Sequence, residues 1–296
     1  MSSEIRISIG ICAYNEEGNI ERSIRSLYEQ EEDGFEIADV IVISSGSTDR
    51  TDDIVTELLP EFKNLRFLPQ DNREGKNSAI NYFLDNKEAP IAVLLNADNV
   101  FSDERSLANL IRPFSDPKVG IVGGHPIPTN MDDSIACFAS NLLWSMHHHL
   151  SLVCPKIGEL VAFRDIGTRL PKKSQSDEDI LRMKLEEAGY IGAYAPDAVI
   201  FNRGPETVSD FIKQRTRVNI GELYMKKVYG YDIPTWDKRL LIGALSDTIR
   251  GTGLHPVKMT AAITMEIYSR LKASWYVRCD KGDMSLWDPI ATTKDL

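Results

Sequence analysis

The chain has 296 residues, enough for one large α/β domain with appendages or for two smaller domains, and its 42% hydrophobic and 26% charged residues are ordinary for a globular protein. No run approaches the ~18 uninterrupted apolar residues of a membrane-spanning helix, and the opening MSSEIRISIG lacks the basic region and long apolar core of a secretory signal, so neither an integral membrane protein nor a secreted one is expected. The net charge of −10 divides unevenly: residues 1–202 hold 19 Lys and Arg against 33 Asp and Glu, whereas residues 203–278 hold 13 against 7. The C-terminal part therefore suits an anionic partner such as phosphate, a lipid headgroup or nucleic acid, with a solvated helical surface as the plainer reading. Cys12, Cys137, Cys154 and Cys279 lie far apart without a CxxC pair, which predicts free buried thiols in a reducing cytosol.

Residues 5–13 (IRISIGICA) alternate and then run continuously apolar, predicting a strand. The loop Tyr14-Asn15-Glu16-Glu17-Gly18-Asn19 leads into a helix with Ile20, Ile24 and Leu27 on one face. Residues 38–43 (ADVIVI) predict a second buried strand, ending in Ser44-Ser45-Gly46-Ser47-Thr48-Asp49 before a helix marked by Ile54, Val55, Leu58 and Leu59. A short strand at 65–68 and a helix with Ala79, Ile80, Phe83 and Leu84 inward follow. Residues 91–95 (IAVLL) then read as a fully buried strand that breaks abruptly into Asn96-Ala97-Asp98-Asn99. In open α/β sheets ligands sit beyond the carboxyl ends of strands, where Asp98 would meet a hard cation and the phosphates it carries; a helix cap or an Asx turn is the plainer role. Leu107, Leu110 and Ile111 mark the next helix, and residues 119–122 the next strand, closed by Gly123-Gly124. Alternation of this length predicts parallel strands joined by right-handed crossovers.

After Pro128 the alternation stops. Ile135, Phe138, Leu142 and Met146 share a helical face, continued by His147-His148-His149; consecutive helical residues diverge, so these three cannot chelate one ion from a regular helix. A strand is expected at 160–163, a helix at 177–187, a strand at 198–201, and helices at 207–229, 238–250 and 257–277. There is no internal repeat and no low-complexity linker.

With these segments placed, the chain resembles the family-2 inverting glycosyltransferases of the GT-A fold. The resemblance runs from about Ile5 to about Lys227. Tyr14-Asn15-Glu16-Glu17 matches the family's nucleotide-cradling loop, Gly46-Ser47-Thr48-Asp49-Arg50-Thr51 its Gly-Ser-Thr-Asp stretch, and Glu74-Gly75-Lys76-Asn77-Ser78-Ala79 its Gly-Lys-x-x-Ala element. Asn96-Ala97-Asp98 occupies the place of the Asp-x-Asp metal motif, and Gly158-Glu159-Leu160-Val161-Ala162-Phe163-Arg164 resembles the acceptor-side Gly-x-x-x-Ala-Phe-Arg segment. Asp177-Glu178-Asp179 aligns with the Glu-Asp pair, and Gln214-Arg215-Thr216-Arg217 with Gln-Arg-x-Arg-Trp.

The resemblance implies an α/β, Rossmann-like, mostly parallel sheet flanked by helices. It assigns residues 1–230 to the catalytic domain, with 1–128 the nucleotide-sugar half and 129–230 the acceptor half, and leaves 231–296 as a helical extension. Ala13, Tyr14, Glu16, Ser45, Lys76, Asn96 and Asp98 would bind the donor; Gln214, Arg215 and Arg217 the diphosphate or acceptor. Asp98 would be the principal ligand of Mg²⁺ or Mn²⁺, and Asp179 the base, beside Glu178. The expected partners are a nucleotide-sugar donor and a glycan or lipid-linked acceptor, with no nucleic acid. Three departures bear on this. Ser44 and Ser45 stand where relatives carry acids that read the base or ribose, so a UDP-sugar is favoured and a GDP-sugar stays open. Asn96 replaces the first metal-motif acid, and Val218 the final Trp that goes with polymerising members, so single-residue transfer is favoured over polymerisation.

The chemistry agrees with that inventory. Displacing a nucleoside diphosphate from an anomeric carbon needs a base for the acceptor proton and positive charge for the leaving group. Asp177 and Glu178 would raise the pKa of Asp179 by like-charge repulsion, with Glu178 pointing away from the cleft, while an acid-rich helix start is the bland alternative. Residues two apart on a helix diverge, so only one of Arg215 and Arg217 is expected on phosphate. A nucleotidyltransferase acting on a sugar phosphate, or a non-catalytic nucleotide-sugar binding subunit, are the competing functions. In the last helix Met259, Ile263, Ile267, Leu271 and Trp275 fall at i+4 spacing among Lys258, Arg270, Lys272 and Arg278. Such a stripe suits a membrane interface, which would place the chain in the cytoplasm at the inner membrane face; packing on the catalytic domain or a homodimer explains it equally.

Overall fold

The computed structural model describes residues 5–130, 133–172 and 176–279. Residues 1–4, part of the stretch read for a signal, and residues 280–296, the end of the expected extension, lie outside the described residues.

Among the described residues eight strands form one sheet: β1 (Ile5–Ala13), β2 (Phe35–Ser45), β3 (Leu65–Gln70), β4 (Ile91–Asn96), β5 (Val100–Phe101), β6 (Val119–Pro128), β7 (Leu160–Arg164) and β8 (Ile191–Asn202), in the order β3-β2-β1-β4-β7-β6-β8-β5. Between them run α1 (Ile20–Tyr28), α2 (Thr51–Leu58), α3 (Lys76–Asn86), α4 (Ser106–Ile111), α5 (Ile135–Val153) and α6 (Asp177–Glu187). The chain continues through α7 (Val208–Tyr224), α8 (Lys238–Thr252) and α9 (Pro256–Arg278).

β2 is apolar at successive positions because both of its faces are covered, and the period of two divides them. Val40 and Val42 join Ile7, Ile9, Ile11, Val93 and Leu95 in a core under α1, α2 and α4. Ile41 and Ile43 face the opposite layer with Ala92 and Leu94, under Ile80 and Phe83 of α3 and Ile180 and Leu181 of α6. At Gly10 a Cβ would stand 2.7 Å from the Phe83 ring, so glycine lets α3 seat closely on β1.

The expected parallel arrangement is interrupted. β7 runs antiparallel to both β4 and β6, between them, while β6 and β8 are parallel to each other. The tiny β5 pairs antiparallel with β8 and is too short to carry a periodic signal. Gly123 and Gly124 do not close β6, which continues to Pro128. They are needed for close approach: a Cβ at Gly124 would meet Leu160 at 2.7 Å, and one at Gly123 the Lys156 carbonyl at 3.2 Å. β8 begins at Ile191, seven residues before the expected start, because Gly192, Pro196 and Asp197 with their register shifts mask the alternation.

None of the four cysteines is in a disulfide, but only Cys137 is buried; Cys12 and Cys154 are half-buried and Cys279 is exposed. The three consecutive histidines diverge on α5. His148 stacks on His125 at 4.1 Å and bonds the Tyr194 hydroxyl at 2.8 Å, while His147 turns towards Gly158. The stripe on α9 is not its packing face. Ala262, Met265, Ser269 and Ala273 are buried with Met259, whereas Ile263, Ile267, Leu271 and Trp275 are 44%, 54%, 66% and 51% exposed.

Candidate active site

The carboxyl ends of β1 and β2 carry two loops that bind one another. The Asn15 side chain accepts from the Thr48 amide at 2.8 Å, the Glu16 amide donates to Thr51 Oγ1 at 2.8 Å, and the Arg50 amide to Glu17 Oε2 at 3.0 Å. Gly46 has φ +66°, and a Cβ there would lie 2.6 Å from the Asn72 carbonyl carbon, so only glycine lets the segment leading to Lys76 close on this pair. Ala13 is buried at the end of β1, and the Arg73 guanidinium lies 4.1 Å over the Tyr14 ring. Two donor-side candidates are turned inward. Glu16 accepts from the Asn19 side chain at 3.1 Å at the start of α1, and Ser45 Oγ accepts from the Glu74 amide at 3.1 Å. Ser44 donates to Ser47 at 2.8 Å. The hydroxyls of Ser44 and Ser45 thus hold loops together.

At the end of β4 the Asn99 amide closes a turn onto the Asn96 carbonyl at 3.1 Å, with the half-buried Asp98 inside it. Because β7 pairs with β4, Glu159 is brought next to Asn96 and accepts from its Nδ2. Among the described residues no group of three or more His, Cys, Asp or Glu side chains is built to hold a metal ion. The donor set here, one carboxylate and an amide oxygen, fits a hard cation that takes its remaining ligands from a diphosphate and water.

One cavity of about 620 Å³ gathers Lys76, Asn96, Glu178, Asp179, Gln214, Arg215 and Arg217; Ala13, Tyr14, Glu16, Ser45 and Asp98 are not in its lining. Lys76, at the first turn of α3, reaches Asp177 at 2.8 Å and Glu178 at 3.4 Å across the cleft. Glu178 therefore does not point away, as expected from its neighbour's role; it shares the cavity with Asp179. Burial, then the Asp177 charge, pushes Glu178 up to about 8. Asp177 titrates below the ordinary range: its burial is outweighed by the Lys76 charge together with hydrogen bonds from Glu178 and Lys76. Asp179 is raised chiefly by burial; Lys156 opposes the rise, and the principal like charge is Glu222, followed by Asp177, one of the two expected acids, while Glu178, the other, is not among the leading causes.

Glu222 of α7 is buried, accepts from Trp236 Nε1 and Thr235 Oγ1, each at 3.1 Å, and stands 3.7 Å from the Lys156 ammonium. Lys156 and Glu222 are site residues that sequence reasoning missed, and His147 is weighed there only as a metal ligand. They lie outside the motifs, in segments whose convergence only the fold reveals. Of the two arginines on α7, Arg215 is engaged in a two-pronged pair with Glu266 of α9, at 2.8 and 3.1 Å, while Arg217 makes no ion pair among the described residues.

Residues 8–151 match the family model described as glycosyl transferase family 2. Among curated proteins, the poly-beta-1,6-N-acetyl-D-glucosamine synthase of Staphylococcus epidermidis is 24% identical over 225 residues, covering 71% of this chain and 53% of that protein. The synthase of the same name from Staphylococcus aureus strain MSSA476 is 25% identical over 223 residues with the same coverage, so the chain spans about half the length of these relatives. Among solved structures, the mannosyltransferase PcManGT from Pyrobaculum calidifontis, in complex with GDP-Man and Mn²⁺, superposes with a TM-score of 0.67 at 22% identity, over 95% of this chain and 89% of that one. S. aureus TarS 1-349 in complex with UDP-GlcNAc gives 0.53 at 14% identity, over 93% and 92%.

Proposed function

We propose, from the match of residues 8–151 to the model described as glycosyl transferase family 2, that this chain is a glycosyltransferase that works with inversion, moving a sugar from a nucleoside-diphosphate sugar to an acceptor hydroxyl. The observation that carries the reading is the meeting of Lys76, Asp179 and Arg217 in one cavity at the carboxyl end of the sheet. In the reaction the acceptor oxygen attacks the anomeric carbon from one face while the bond to the diphosphate breaks on the other. Asp179 takes the acceptor's proton, and the nucleoside diphosphate leaves towards Lys76 and Arg217. A carboxylate raised above its ordinary pKa is the better base, which supports Asp179 in that role. A divalent cation, held by Asp98 with Asn96 beside it, would supply positive charge to the diphosphate.

Donors carrying GDP and UDP are both supported as candidates, since PcManGT is in complex with GDP-Man and TarS with UDP-GlcNAc. The serines that led towards UDP are tied to loop contacts, so the base is read by other groups. The test is to supply UDP-GlcNAc or GDP-mannose with Mn²⁺ and follow the products. Release of nucleoside diphosphate, with an inverted anomeric carbon in the transferred sugar, is expected. Release of pyrophosphate from a nucleoside triphosphate and a sugar phosphate would instead identify a nucleotidyltransferase, and neither product a binding subunit.

A further inference from the structure

We propose that Glu159 is a positioning residue for the divalent cation of the donor: its carboxylate fixes the Asn96 amide so that the carbonyl oxygen is the atom offered to the cation, and it returns to the site the negative charge that Asn96 lacks. This rests on the glycosyltransferase reading above and on the cation assigned there to Asp98 and Asn96.

The sheet itself makes the pair. β7 runs antiparallel beside β4 with Leu160 opposite Leu95, so one step further the chain sets Glu159 against Asn96, whose Nδ2 donates to Glu159 Oε2. Both line the cavity that holds Lys76 and Asp179. A tight turn keeps Glu159 there: the Leu160 amide donates to the Gly158 carbonyl at 2.6 Å, with Glu159 between them at φ +49°. Among the described residues the only other side chain at positive φ is Asn15, of a type that tolerates that region, whereas a glutamate is strained in it. Strain of this kind persists where the surroundings demand it, and the contact with Asn96 is the demand this geometry shows.

The chemistry of the pair is one-sided. A carboxylate offers only acceptors, so the edge of Asn96 that faces Glu159 is its NH₂. An asparagine without such a partner can present either edge, and only the oxygen ligates a hard cation. Partners that orient a ligand in this way tune metal sites as strongly as many ligands do. Charge points the same way. Asn96 is neutral where Asp98 has a carboxylate, and Glu159 sets a second carboxylate beside the pair. Its field reaches into the cleft, where it joins Asp177 and Glu178 in favouring the charged form of Lys76.

The test titrates the full chain with Mn²⁺ in the presence of UDP or GDP and follows the free ion by its paramagnetic resonance signal. Glu159→Gln keeps the length but loses the charge and the one-sidedness, since its own amide can turn either edge to Asn96. It should weaken Mn²⁺ binding by about 10–100-fold, the range for losing a ligand's supporting partner, and leave metal-free nucleotide binding unchanged. Glu159→Gly removes the contact and the strain together, so Mn²⁺ binding should weaken by a similar factor while the melting temperature stays at or above that of the wild type. Adding Asn96→Asp to either variant puts a carboxylate on the cation directly and should recover most of the loss. Wild-type Mn²⁺ binding in the folded variants, or a loss that Asn96→Asp does not recover, would overturn the proposal. A lower melting temperature for Glu159→Gly with Mn²⁺ binding intact would leave Glu159 as a clasp between two strands. If the wild type binds nucleotide but no Mn²⁺, the proposal falls with the cation; if it binds neither UDP nor GDP, the failure lies with the glycosyltransferase reading.

Discussion

Glu178 and Asp179 are adjacent carboxylates with different work to do. Glu178 keeps its proton up to about 8 instead of the ordinary 4.5, so between those limits the folded chain binds a proton that the unfolded chain has released. Stability therefore falls as pH rises across that window. Asp177, held low by Lys76, titrates below the window and does not blur it. The melting temperature of Glu178→Gln relative to the wild type should accordingly rise from pH 5 to pH 9; a constant difference would mean that Glu178 titrates normally. Ser45 gives a second prediction. Because its hydroxyl accepts from the Glu74 amide, Ser45→Ala should cost about 1 kcal/mol of stability in a denaturant titration and leave the choice between UDP and GDP donors unchanged. At this scale the sequence revealed residue types but not their partners. Ser45 and Glu16 were legible as loop residues of a nucleotide motif, yet only the folded loops turn both inward.

Elements were legible where one physical rule decides them. The apolar runs of β1, β2 and β4 end abruptly in polar loops, and α6 was read at its observed bounds from its inward Ile180, Leu181 and Leu185. What stayed hidden depends on contacts between distant segments. Nothing in LVAFR states that β7 reverses between β4 and β6, and that reversal is what brings Glu159 to Asn96. The pairing of α9 with α7 is likewise visible only in three dimensions, through Arg215 and Glu266. Arg215→Ala leaves Glu266 with Arg270 and Asn219, and should lower stability by roughly 1–3 kcal/mol while donor affinity, measured by calorimetry, holds. A loss of donor binding with stability intact would return Arg215 to the diphosphate. Gly46 tests the loop pair: Gly46→Ala, strained by its positive φ and by the Asn72 backbone, should cost roughly 1–3 kcal/mol and weaken nucleotide binding.

For the whole molecule, residues 203–278 are basic, α9 exposes an apolar stripe on one face, and among the described residues no helix is long and apolar enough to cross a membrane. Surface attachment through that face is the reading we favour, with a second copy of the chain as its competitor. Removing α9 would be a poor test, because it carries Glu266 and the buried Ala262 and Met265 that pack on α5 and α7. Leu271→Glu with Trp275→Glu changes only half-exposed or exposed positions. The double variant should float less with anionic vesicles and keep its sedimentation behaviour, whereas altered sedimentation with unchanged flotation would favour the dimer.

The central claim is that Asp179 takes the acceptor's proton, and Asp179→Asn isolates it. The amide keeps the shape and a hydrogen-bonding oxygen but cannot accept a proton, so transfer should fall by roughly 10²–10⁴, with donor affinity nearly unchanged because the lost interaction belongs to the transition state. Glu178→Gln, measured alongside, should lose much less. Near-normal transfer by Asp179→Asn with loss in Glu178→Gln would move the base to Glu178; activity retained in both would contradict base catalysis from this helix altogether.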